Sequence, residues 1–166
     1  LPLALGVGLI AWRNHSDASE RSSALATEKV EAGSKALSRT LHDFRYQLLL
    51  AANDSALRAW YLHPGQRSQL RPVVNDSLVL LNRLQPDMID EACFIAADGV
   101  EQARMVLGKV APVSELSPDE TGNPFFTPTF AKNVGDVYQG SPYHSMDSMR
   151  WVIPTSTPIE VNGEKV

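Results

Sequence analysis

At 166 residues and 18.2 kDa, the chain is sized for one domain with room for a long additional element. Its 15 Lys+Arg against 19 Asp+Glu leave a net charge of −4, so the basic footprint of a nucleic-acid binder is missing and no nucleic-acid partner is expected. The single cysteine excludes an internal disulfide framework and zinc centres built on two or four thiolates.

Residues 1–12 (LPLALGVGLIAW) form an uncharged apolar run closed by Trp12, Arg13 and Asn14. A full crossing takes roughly 20 residues, so twelve do not span by themselves. Trp followed by Arg is the punctuation found where a helix leaves the bilayer. Residues 1–13 are therefore expected to be the end of a transmembrane or signal-anchor helix.

No proline interrupts Ser16 to Leu62, and a long helix is predicted over 16–62. Val30, Leu37, Leu41, Phe44 and Leu48 recur with a period near 3.5, a narrow seam of the kind that meets a partner helix. Those five residues are the predicted seam of a homodimer, with Gly33-Ser34 weakening its start; the plainer reading packs the same stripe on the domain's own core. Asn53-Asp54-Ser55 interrupts the pattern, with Asp54 able to cap a following turn up to Leu62. Residues 66–166 are assigned to a second segment, opening with a second helix from about Gln66 to Leu84 that tolerates Pro72 only near its first turn.

Beyond Gln85-Pro86 the period turns strand-like. Ala92 to Ala96 is a short apolar run in which Cys93 reads as a small buried hydrophobe, and Asp98-Gly99 is a hairpin turn. Val100 to Leu107 returns, with Glu101 and Arg104 three apart and so expected on opposite faces, in structural ion pairs or loop caps. Asn123-Pro124 opens a short helix over Phe125 to Lys132. Strands are expected at Asp136 to Gln139 and Met149 to Thr157. Ile159 onward reads as one arm and the Asn162-Gly163 turn of a hairpin that ends before its second arm. The predicted fold is α+β: a long helix, a second helix, then an antiparallel sheet with a short helical insertion, truncated at its C-terminal strand.

Phe94-Ile95-Ala96-Ala97-Asp98-Gly99-Val100-Glu101-Gln102-Ala103-Arg104 resembles the F-I-D-x-x-G-x-E-x-x-R stretch of double Cache domains, the PAS-like (PDC) extracytoplasmic sensors of bacterial histidine kinases, diguanylate cyclases and chemoreceptors. Asn123-Pro124-Phe125-Phe126, Asp136 to Ser141, and Ile153 to Ile159 before Asn162-Gly163 resemble that family too. The resemblance implies a ligand pocket between the sheet and the helical insertion, lined by Arg104, Phe126, Tyr138, Tyr143, His144, Arg150 and Trp151, although core packing is the plainer role for Phe126 and Trp151. It also implies a domain on the periplasmic or extracellular side of the inner membrane. Amino-acid-binding members carry Arg-x-Trp-Tyr and Pro-Tyr-x-Asp elements. Here Asn123 stands where the guanidinium would be and Ser145 where the carboxylate would be, so an amino acid is not the expected ligand.

Catalytic chemistry finds little support. His42-Asp43 alone is a weak phosphohydrolase signature, Asp87, Asp90 and Glu91 flank a helix-to-strand turn where acids are common, and neither G-x-S-x-G nor a phosphate-cradling loop occurs. No catalytic residue, metal ligand or cofactor is assigned. The expected function is signal input to a cytoplasmic output domain. The alternatives are a dimerisation module without a small-molecule ligand and a metal-dependent phosphohydrolase fragment using His42-Asp43.

Overall fold

The structure, a computed structural model, describes the backbone of residues 3–166 and the side chains from Ser22 onward. The predicted membrane exit at 1–13 lies outside the described side chains. Among the described residues no helix is long and apolar enough to cross a membrane. The chain divides into two compact units, residues 1–43 and 44–166.

Helix α1 spans Leu3–Ala52 without a break at Gly33-Ser34. In the first unit its described side chains are mostly exposed, Val30 and Leu37 among them at 71% and 56%. Thr27 and Thr40 turn their hydroxyls back on the carbonyls of Ser23 and Ala36, the local bond that lets threonine sit inside a helix.

The second unit begins with the last turns of α1. Two helices follow, α2 (Ser55–Leu62) and α3 (Arg67–Leu84). Asp54 makes the junction as the sequence suggests: its carboxylate accepts from the Ala56 N–H at 2.8 Å, capping α2, and from the Ser77 hydroxyl of α3 at 2.5 Å. Pro72 lies in the second turn of α3 rather than the first, and its missing N–H leaves only the exposed Ser68 carbonyl without a helical partner.

A three-stranded antiparallel sheet packs on these helices: β1 (Glu91–Ile95), β2 (Glu101–Val106) and β3 (Lys109–Val110), in that order. The core gathers Leu57 and Trp60 of α2, Val74, Leu78 and Leu81 of α3, Phe94 of β1, and Ala103 and Met105 of β2. Trp60 is fully buried, meets Phe94 edge-on at 6.4 Å, and has the guanidinium groups of Arg67 and Arg71 over its ring. Phe44 and Ala51, from the end of α1, pack against this same core. Of the predicted seam, Phe44 thus packs on the domain's own core.

The Asp98-Gly99 turn joins β1 to β2 with Gly99 at φ +85°, where a Cβ would lie 2.5 Å from Thr121 Cγ2. Short elements complete the unit: α4 (Phe126–Phe130), then β4 (Tyr138–Gln139), β5 (Tyr143–His144), β6 (Trp151–Val152), β7 (Thr155–Ser156), β8 (Glu160–Val161) and β9 (Glu164–Lys165). They pair as three two-stranded ladders, β4 with β7, β5 with β6, and β8 with β9. Met149 to Thr157 is therefore two strands rather than one, parted at Ile153-Pro154, where proline cannot donate to a ladder. The last hairpin has both arms, Glu160 opposite Lys165 and Val161 opposite Glu164, around Asn162 and Gly163 at φ +55° and +86°. The architecture is α+β, long helix first and sheet after.

Candidate functional site

The outer face of the β1–β2 pair, opposite the helices, carries the chemistry. Its composition follows from one irregularity. Phe94 pairs with Ala103, but the next residue, Ile95, pairs with Glu101, so β2 holds an extra residue at Gln102. The bulge leaves Gln102 on the helix side, where its Oε1 accepts from Trp60 Nε1 at 3.2 Å. It also brings Glu101 onto the face of Arg104, with Glu101 Oε2 3.8 Å from Arg104 Nε. The regular alternation that puts these two on opposite faces does not survive the bulge.

Cys93 pairs with Arg104 on that outer face and is exposed, not buried. The strand is apolar on both sides, and the core takes Phe94, not Cys93. The thiol lies 3.6 Å from Glu91 Oε1. Crowding by the surrounding sheet and loops pushes it well above the ordinary thiol range, and the nearby carboxylates of Glu91 and Glu101 push the same way. A protonated thiol there is no nucleophile at neutral pH.

Arg104 is the centre of the face. One terminal nitrogen lies 3.0 Å from Asp147 Oδ2, the other donates to the Glu115 carbonyl, and its Nε is buried with no hydrogen-bond partner. Burial works against its charge, but Glu101 and Asp147 outweigh it and hold Arg104 firmly protonated. Glu101, only 4% exposed, accepts the Ser117 N–H at 2.8 Å. Burial raises the Glu101 carboxyl above its ordinary range in spite of that bond. Glu91 is raised too, first by burial and then by Asp147, with the Ser145 hydroxyl opposing.

The β5–β6 hairpin is tied to this face at three points. The Ser145 hydroxyl donates to Glu91 Oε2 at 2.9 Å, Asp147 pairs with Arg104, and Arg150 reaches Asp90 at 2.7 Å. Inside the tip, the N–H groups of Asp147 and Ser148 donate to the Ser145 hydroxyl. Ser148 is itself buried, and its own hydroxyl has no partner. Tyr143, at the hairpin's start, is raised to about 12 by burial and by Glu91.

Of the residues singled out from sequence, the structure gathers Arg104, Tyr143 and Arg150 around one face. His144 and Trp151 form an exposed edge-on pair at 6.0 Å on the same hairpin. Phe126 packs against Phe130 at 4.9 Å within α4, and Tyr138 pairs with Ser156 in the β4–β7 ladder. Glu91, Glu101, Ser145 and Asp147 complete the cluster. Only knowledge of the β1–β2 register, bulge included, would have placed the two glutamates there. Asn123, at the position of the missing guanidinium, donates to Glu120. A concavity on α1 lined by Ser23, Ala24, Thr27, Glu28 and Glu31 is an open groove on a single helix without convergent polar groups. Among the described residues no group of three His, Cys, Asp or Glu side chains could hold a metal ion.

The chain is similar to the crystal structure of a domain of a sensory box/GGDEF family protein from Vibrio parahaemolyticus, with a TM-score of 0.60 at 15% identity over 76% of this chain and 52% of that one. The chain spans about half the length of that structure. No family model matches it, and no curated protein matches it. A likeness at this identity carries the fold, which is PAS-like α+β; activity has to be argued from the site.

Proposed function

We propose that this chain is a non-catalytic signal-input domain of a bacterial transmembrane receptor, of the double Cache type, facing the periplasm or the extracellular side. A small molecule other than an amino acid binds at the outer sheet face, and α1 carries the resulting shift toward a cytoplasmic output domain such as a diguanylate cyclase or kinase. The observation that carries this reading is the ring of partly buried charges around Arg104 under a hairpin tied to it by polar contacts. A ligand that prefers one arrangement of that hairpin shifts its population by its differential affinity and no more. The sheet beneath shares its core with Phe44 and Ala51 of α1, which gives the shift a route into the helix. The fold and a neighbour described as a domain of a sensory box/GGDEF family protein support the assignment.

A thermal-shift screen of the chain against a metabolite library tests it, since a compound that binds only the folded state must raise the midpoint. A hit whose shift is lost in Tyr143→Ala supports sensing at this face. A complete absence of hits favours the second reading, a dimerisation module without ligand. That reading rests on Val30 and Leu37, which stand exposed on a continuous helix where two membrane-anchored copies would run side by side. Cysteine crosslinking at Leu37 in the intact receptor reports on it directly.

A further inference from the structure

We propose that the solvent side of the β5–β6 hairpin is a binding site for a soft monovalent cation, Cu(I) or its analogue Ag(I), built from His144, Met146 and Met149 with Trp151 beside them. It lies apart from the charged sheet face and does not depend on a small molecule binding there. In the ladder His144 stands opposite Trp151, and the Ser145 N–H donates to the Arg150 carbonyl at 2.8 Å. Ser145 and Arg150 turn inward, to Glu91 and Asp90. Alternation along each strand therefore sends His144 and Trp151 the other way, into solvent. Met146 and Met149 open and close the four-residue tip between Ser145 and Arg150, and are 77% and 64% exposed, with Trp151 at 74%. Met149 also sits at φ +54°, a setting that usually falls to Gly, Asn or Asp, so turn chemistry does not account for a methionine there.

So many large exposed groups on one hairpin point to something that covers them. Four side chains fall far short of the roughly 20–30 residues a side that a stable protein interface uses, so the patch suits an ion better than a protein. Its donors say which ion. Thioethers are soft ligands that select Cu(I), whereas Mg(II), Ca(II) and Mn(II) take oxygen. Asp147, the hairpin's one carboxylate, is turned to Arg104, so Zn(II) finds a single imidazole where its sites use three or four protein ligands. Methionine is unbranched and has three rotatable bonds, so two sulfurs at the ends of a four-residue tip can converge on the imidazole two residues before Met146. All three donors are neutral, which leaves the ion its positive charge. The Trp151 ring, centred 6.0 Å from the imidazole, is near enough to offer that charge its π face.

The experiment titrates Cys93→Ser, which lacks the chain's only thiol, with Ag(I) in chloride-free buffer, followed by calorimetry, tryptophan fluorescence and NMR of isotope-labelled methionine methyls. One equivalent is expected to bind, to quench fluorescence and to shift the methyl signals of Met146 and Met149, assigned by their loss in Met146→Leu and Met149→Leu. Losing even an outer-shell partner of a metal ligand costs about 10–100-fold in affinity, so His144→Gln and the double Met146→Leu, Met149→Leu variant are each expected to lose about tenfold or more. Trp151→Leu is expected to keep the methyl shifts and lose the quench. Met88→Leu, which alters a methionine 44% exposed outside the hairpin, is expected to change nothing. Cu(I), held reduced by ascorbate without oxygen and measured against a coloured chelator, is expected to follow the same order. Should Cys93→Ser not fold, the methyl shifts are read in the parent, because an ion on the thiol does not move both hairpin methyls. Ag(I) affinity that survives the double variant overturns the proposal, as does the absence of Ag(I) binding. Zn(II) binding as tightly as Ag(I) overturns it too, since a site built on thioethers discriminates between them.

Discussion

Replacing Glu101 with Gln tests the polar face where its forces are most evenly opposed. Glu101 is nearly inaccessible, yet it accepts a charge-assisted bond from the Ser117 N–H and faces Arg104 at 3.8 Å, beyond hydrogen-bonding range. A hydrogen bond to a charged group is worth about 1.5–3 kcal/mol against about 1 for a neutral one, so Gln, keeping an acceptor for Ser117, forfeits roughly 1 kcal/mol there. Against that stands the desolvation of a buried carboxylate, which costs several kcal/mol before compensation. The carboxyl is raised overall, with burial the largest cause, so desolvation wins. A group whose folded pKa lies above its unfolded value adds stability while it is protonated, and that stability fades as pH rises through the folded pKa. The parent is therefore expected to gain stability as pH falls from neutral through the raised carboxyl range, with Glu91 contributing in the same sense. Glu101→Gln is expected to match or exceed the parent at pH 7.5, by about 0.5–1.5 kcal/mol on the same hydrogen-bond and desolvation scale, and to show a flatter pH dependence. Urea unfolding followed through the buried Trp60 measures both quantities. A variant destabilised by more than about 1 kcal/mol at pH 7.5 would show that the Ser117 and Arg104 contacts outweigh burial, and would refute the reasoning.

Gly99→Ala is expected to cost about 1–3 kcal/mol or more, since φ is +85° and the new Cβ meets Thr121 at 2.5 Å; a chemical-denaturation midpoint equal to the parent's would contradict this. Asp54→Ala removes both the cap of α2 and the bond from Ser77, and should cost about 1–2 kcal/mol, whereas Asp54→Asn should recover most of it in the same assay. Cys93, though exposed, should react with iodoacetamide at pH 8 at least tenfold more slowly than free cysteine, accelerating at higher pH, because its thiol is held protonated. A rate equal to that of free cysteine would remove the basis for treating it as inert.

The helices were legible because their signals are local. The break at Asn53-Asp54-Ser55, the proline-bounded stop at Gln85-Pro86 and the 3.6-residue recurrence of Val74, Leu78 and Leu81 need only neighbours a few positions apart. What an apolar stripe packs against is a different matter. The step from Leu37 to Phe44 has the same spacing whether Phe44 meets a second copy or the domain's own Trp60-centred core, and here it meets the core. In Ala92-Cys93-Phe94-Ile95-Ala96 nearly every residue is apolar, so alternation leaves no trace of which side is buried.

The site was hidden for a related reason. A bulge shifts every residue beyond it to the other face, and its extra residue here, Gln102, belongs to no turn-forming type that would announce it. Without that shift, Glu101 would point toward Trp60, Arg104 would face Asp147 without it, and the outer face would lose its most buried charge. The rest of the cluster is non-local: Ser145 meets Glu91 and Arg150 meets Asp90 across more than fifty residues. Periodicity cannot report such contacts, but they decide the chemistry. An arginine on a regular strand would be a surface ion-pair partner, worth little and screened by salt. The bulge, together with the hairpin that folds back over it, turns Arg104 into a mostly buried guanidinium held by Asp147, by the Glu115 carbonyl and by Glu101 facing its Nε.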